Sequence, residues 1–370
     1  MTGIDRRGMM IEARTPRRWR ARLAVVTVAA GLFATGVVAT APAVTASSLT
    51  TKAQPPKVAQ LGKYPVGLRT ETFVDSTRPT ENVAPTRTLK TAIYYPAQGT
   101  PTDTPIANAP PDTKNAPYPL ILFSHGLGAR GVAYENVLKA WASAGYVVAA
   151  PDYPLSNTDA PGGAQFGRTI ADTKNQPADA TFVINQVIKL DKQKQGLGGI
   201  VDAKRIGASG HSLGGITTYG LGYSGCCTDK RIKAAVPMSG ITGIVAGPET
   251  YFQGAATPLL AVHGNADGTV PYAADMNGFA RAKTPKYFLT FLGAGHVTPF
   301  LGGDNPSAVA LKQSTIDFFN RYLKDDKAAL DKLRTDANVP GASSLEEHPE
   351  STATARAPTS TTKKSTTPSS

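Results

Sequence analysis

Between residues 64 and 325, short apolar runs alternate with longer stretches of helical period. The run Tyr118-Pro119-Leu120-Ile121-Leu122-Phe123-Ser124 predicts a buried strand. A helical stretch over 134–141 and a strand over 146–150 follow. Residues 178–188 place Val183, Ile184, Val187 and Ile188 on one helical face. Further strands are predicted at 205–208, 232–238, 258–262 and 286–292, and a closing helix at 316–323. Strands alternating with helices imply an α/β fold, a mostly parallel central sheet covered by helices on both faces. Ligands of such sheets bind at the carboxyl ends of the strands.

Three of those strand ends carry chemistry. Gly210-His211-Ser212-Leu213-Gly214 follows a strand and opens a helix, so its serine would sit on a sharp turn that pushes the hydroxyl outward, with glycines allowing close approach. The strand at 258–262 runs into His263-Gly264-Asn265-Ala266-Asp267, and the strand at 286–292 into Gly293-Ala294-Gly295-His296. A serine hydroxyl becomes a useful nucleophile only when an imidazole takes its proton, and that imidazole needs a carboxylate to hold its tautomer. The order Ser212, Asp267, His296 is that of α/β-hydrolases.

The chain has five histidines. His211 lies beside the nucleophile and is expected to point elsewhere, His125 and His263 precede glycines in structural positions, and His348 falls in a polar tail. His296 is left as the base. Asp267 could instead cap the following helix, with Asp275 or Asp152 as the acid in that case. The strand ending in His125-Gly126-Leu127-Gly128 suggests that the backbone N–H groups of Leu127 and Leu213 form an oxyanion hole.

The stretches Leu122 to Gly128, Gly210 to Gly215 and His263 to Asp267 resemble the platelet-activating-factor acetylhydrolase group of α/β-hydrolases, to which bacterial polyester hydrolases and dienelactone-hydrolase-like proteins are related. Tyr64-Pro65-Val66-Gly67, Phe73-Val74-Asp75 and Ala92-Ile93-Tyr94-Tyr95-Pro96-Ala97 resemble the group's first strands. The likeness spans roughly residues 60–325. It implies carboxylic-ester hydrolysis by Ser212, Asp267 and His296, with Leu127 and Leu213 at the oxyanion hole. Dienelactone hydrolases proper use a cysteine nucleophile, which disfavours their substrate here.

The connection from Met238 to Pro258 is short and Gly-rich, so no cap domain is expected. An open site suits extended, lipidic or polymeric esters. The main competing readings are acyl transfer to a sugar or lipid alcohol and, from another class, a non-catalytic cell-wall binding protein.

The ends differ from the body. Arg14, Arg17, Arg18, Arg20 and Arg22 precede an uncharged run at 23–41 and small-residue cleavage candidates, which reads as an export signal over residues 1–46, by either general or twin-arginine export. A flexible segment at 47–60, a catalytic domain at 61–335 and a disordered Pro/Ser/Thr-rich tail at 339–370 complete the expected organisation. Seven arginines and two acidic residues precede residue 47, so the formal charge of +12 falls to +7 beyond it. The remaining basic residues are scattered, which argues against nucleic-acid binding and leaves room only for weak cell-surface association. The two cysteines, Cys226 and Cys227, are adjacent; a vicinal disulfide and a reduced buried pair are both open. No metal or cofactor is implied, and a secreted monomer acting on an ester is expected.

Overall fold

The computed structural model describes residues 62–349, apart from 302 and 304. In it the apolar runs line up as one sheet. Its strands are β1 (Val66–Asp75), β2 (Arg87–Pro96), β3 (Ile106–Ala107), β4 (Tyr118–Ser124), β5 (Val147–Asp152), β6 (Val201–His211), β7 (Ile232–Met238), β8 (Leu259–Gly264), β9 (Lys286–Phe291) and β10 (Ser343–His348). The spatial order is β10-β9-β8-β7-β6-β4-β5-β2-β1-β3. The six strands from β5 across to β9 are mutually parallel. Antiparallel pairs flank them, β5 with β2 and β2 with β1 on one side, β9 with β10 on the other.

The helices are α1 (Glu135–Ser143), α2 (Phe166–Asp172), α3 (Gln176–Asp191), α4 (Leu213–Tyr223), α5 (Tyr272–Arg281), the short α6 (Thr298–Leu301), α7 (Pro306–Leu323) and α8 (Ala329–Ala337). Strand β4 shows why both sheet faces need cover. Its alternate residues Leu120 and Leu122 pack with Val183 and Val187 of α3, while Ile121 and Phe123 pack with Trp141 of α1 and Phe318 and Phe319 of α7. A period of two on a strand buried on both sides yields a continuous apolar run rather than an alternating one.

Two expectations change. The tail expected to be disordered from residue 339 is ordered over its first part, because Ser343–His348 forms β10 in register with β9, from Ser343 opposite Phe291 to His348 opposite Lys286. That strand is held by main-chain pairing and by polar contacts such as Ser343 Oγ to the Ala337 carbonyl, not by an apolar run. The folded body therefore extends past residue 335, and His348 belongs to a strand. The expected export signal, the 47–60 segment and the end of the tail lie outside the described residues. Cys226 and Cys227 form a vicinal disulfide, which decides between the two readings of that pair. Among the described residues, no helix is long and apolar enough to cross a membrane.

Candidate active site

Ser212 sits between β6 and α4 with φ 57° and ψ −117°, in a region that non-glycine residues rarely occupy. Its N–H donates to the Met238 carbonyl on the neighbouring strand at 2.8 Å. The glycines around it are required by contact. A Cβ at Gly214 would run into the carbonyl oxygen of Ser124, and one at Gly210 into the carbonyl of Gly214. Strand, turn and helix are thus pressed together around one hydroxyl.

That hydroxyl meets the residues picked from the sequence. His296 Nε2 lies 2.8 Å from Ser212 Oγ, and His296 Nδ1 lies 2.7 Å from Asp267 Oδ2. Asp267 Oδ1 accepts the N–H groups of Thr269 and Val270 at 2.8 and 2.9 Å. Burial pushes the Asp267 carboxyl up, but the bonds from His296, Val270 and Thr269 outweigh it and hold the group below the ordinary carboxylate value. The Asp267 carboxylate is fully shielded, whereas the His296 ring keeps 14% of its surface exposed. Asp267 is thus kept ionised out of water while the His296 ring stays in partial contact with solvent. The other two candidate acids are engaged elsewhere: Asp152 with Arg130 and the Gly131 N–H, Asp275 with His263 and Tyr219.

Leu213 directly follows Ser212, and Leu127 directly follows a glycine that packs against that serine. Leu213 opens α4, so its N–H is among the first amides of a helix, which have no intrahelical acceptor. Leu127 follows Gly126, where a Cβ would stand 3.3 Å from the Ser212 Cβ. Leu127 as a residue is 38% exposed.

His211 does not point away from the site. Its Nε2 lies 2.8 Å from the His296 carbonyl oxygen and its Nδ1 lies 2.8 Å from the Tyr134 hydroxyl, which also accepts the Gly126 N–H at 3.2 Å. A carbonyl only accepts, so Nε2 carries the hydrogen and Nδ1 accepts from Tyr134. The hydrogen bonds run in one direction, from the Gly126 amide through Tyr134 and His211 to the backbone of His296. Burial and the neighbouring His296 push the His211 imidazole down to about 3, which keeps it in this neutral form. Nothing in Gly-His-Ser signals this link, because Tyr134 lies 77 positions earlier. His125 is structural, as expected: its Nε2 accepts the Tyr153 N–H at 3.0 Å.

Residues 86–260 match the chlorophyllase family model, a span that holds Ser212 and ends before Asp267 and His296. A solved structure titled as ferulic acid esterase from Streptomyces cinnamoneus is similar to this chain, with a TM-score of 0.56 and 22% identity over 71% of this chain and 91% of that one. This chain has the α/β-hydrolase fold. The motif resemblance noted above falls in the same class. Among the described residues, no group of three or more His, Cys, Asp or Glu side chains is placed to hold a metal.

Proposed function

We propose that this hydrolase cleaves carboxylic esters through an acyl-Ser212 intermediate. The single observation that carries the reading is the unbroken chain from Ser212 Oγ through both nitrogens of His296 to Asp267. His296 Nε2 takes the hydroxyl proton as Oγ attacks the ester carbonyl, and Asp267 stabilises the imidazolium that forms. The N–H groups of Leu127 and Leu213 receive the developing oxyanion. His296 then protonates the departing alcohol. Water, deprotonated by the same imidazole, releases the acid.

The surroundings favour apolar substrate groups. Leu213, Ile216 and Val245 form a cluster with Ile170, Ile241 and Cys227 beside the nucleophile. Leu127, Phe166, Ile244, Val297 and Leu301 stay exposed on loops and short helices that follow the parallel strands. Replacing Ser212 with Ala is expected to lower turnover of p-nitrophenyl esters on the order of 10⁶-fold, the scale seen when a triad acts as a unit. Turnover retained by Ser212→Ala would refute the mechanism.

We also infer export, from the arginine-rich start and the uncharged run at 23–41. The Cys226–Cys227 disulfide fits an oxidising compartment. Sequencing the N-terminus of protein from the producing cells checks this: cleavage near residue 44 or 47 is expected, and an intact start in the cell interior would contradict it.

A further inference from the structure

A second buried imidazole reaches the carboxylate of the proposed acid. His263, at the end of β8, places Nε2 3.2 Å from Asp267 Oδ2, the same oxygen that faces His296. The hydrogen bond of Nε2 goes to the Val270 carbonyl at 3.1 Å, so Asp267 Oδ2 is met as a close charge contact, and Nδ1 lies 2.8 Å from Asp275 Oδ2. Asp275 Oδ1 in turn accepts the Tyr219 hydroxyl at 2.6 Å. His263, Asp275 and Tyr219 have no exposed surface.

The donors and acceptors around the ring admit one arrangement at Nε2. The Val270 carbonyl and the Asp267 carboxylate only accept, so Nε2 must carry a hydrogen. Asp275 secures it whichever partner holds the proton shared at Nδ1, since either an imidazolium beside a carboxylate or an imidazole beside a carboxylic acid keeps Nε2–H. Burial would push the His263 imidazole down, but its bond to Asp275 outweighs burial and holds it above its ordinary value. Burial likewise raises Asp275 against its bonds to His263 and Tyr219, so the pair keeps its shared proton. The remaining titratable groups facing this ring are Tyr272, edge-on with ring centroids 5.8 Å apart, and His211 and His296 beyond Asp267.

We propose that His263 is a positioning residue for Asp267, its Nε2–H locked by Asp275 and Tyr219 so that the carboxylate is both aimed at His296 and kept weakly basic. The proposal rests on the reading of Ser212, His296 and Asp267 as an ester-cleaving triad. Without the positive end of this N–H beside Oδ2, the Asp267 carboxylate binds the Nδ1 proton of His296 more tightly. His296 then stays protonated, and so unable to act as base, to a higher pH.

The test is the pH dependence of kcat and KM on p-nitrophenyl acetate for the full protein and its His263→Leu and His263→Gln variants. Leucine fills the volume without a donor, whereas the glutamine amide can put an N–H where Nε2 stands. For His263→Leu, kcat is expected to fall roughly tenfold, the scale of one polar contact to a buried carboxylate, with KM little changed. The acid limb of kcat/KM should move to higher pH. His263→Gln should recover most of the rate and return the limb. A His263→Leu enzyme with wild-type rate and limb overturns the proposal, as does a loss with an unmoved limb or one that His263→Gln fails to restore. A wild-type protein inert toward the ester, before any variant is compared, overturns the underlying triad reading instead.

Discussion

The strained backbone of Ser212 costs on the order of 1–3 kcal/mol and persists only because the strand, the turn and α4 over-determine it. The same region was the most legible part of the sequence. Glycines before and after the serine, and an acid and a histidine each after its own apolar run, picked out Ser212, Asp267 and His296, which the structure joins in one hydrogen-bonded chain. What stayed hidden were partners that are remote in the chain and chemically unmarked. Tyr134 looks like one more aromatic in a helical stretch, yet its hydroxyl joins Gly126 to His211 and so to the backbone of His296. Tyr134→Phe leaves ring packing intact while removing the link between the loop carrying Leu127 and the loop carrying His296. Its kcat on p-nitrophenyl esters should fall about tenfold with KM nearly unchanged, the scale of one hydrogen bond. An unchanged kcat would mean the two loops hold their places without it.

Among the elements, those with a strong apolar period were readable, and those held by polar contacts were not. The strands at the sheet centre and helices α1, α3 and α7 follow from buried runs. Strand β10, with the sequence Ser-Ser-Leu-Glu-Glu-His, gives no such signal, because a sheet edge needs main-chain groups more than apolar side chains. Helix α8, short and with a polar outer face, was missed for a similar reason. Its contact with α7 contains a buried carboxyl: burial pushes Asp317 up to about 8, with Asp336 beside it adding to the effect. The folded state therefore binds this proton more tightly than the unfolded chain, whose aspartates titrate near 4. Between those two values stability should fall as pH rises, since the native state is the one that keeps the proton. Asp317→Asn removes the penalty. Thermal unfolding should show the variant matching wild type at pH 4 and exceeding it increasingly toward pH 8; a gap that stays constant with pH would contradict this account of the α7–α8 contact.

In the molecule as a whole, one buried cation ties the antiparallel edge to the helical layer. Arg87 of β2 bonds Asp172 of α2 and Asp179 of α3, and all three side chains are almost fully buried. A sequence scan for apolar periods cannot find such a group, because a buried ion pair looks like any surface charge until the partners are known. The parallel sheet and the order of its chemistry were nonetheless readable, because strand ends at one edge of a parallel sheet must converge. The central claim is that this convergence makes Ser212 a nucleophile. Treatment of the full protein with a fluorophosphonate, followed by peptide mapping by mass spectrometry, tests it most directly. A single phosphonyl adduct on Ser212, slowed strongly by His296→Ala, is the predicted result. An unlabelled protein, or an adduct on any other residue, would contradict it.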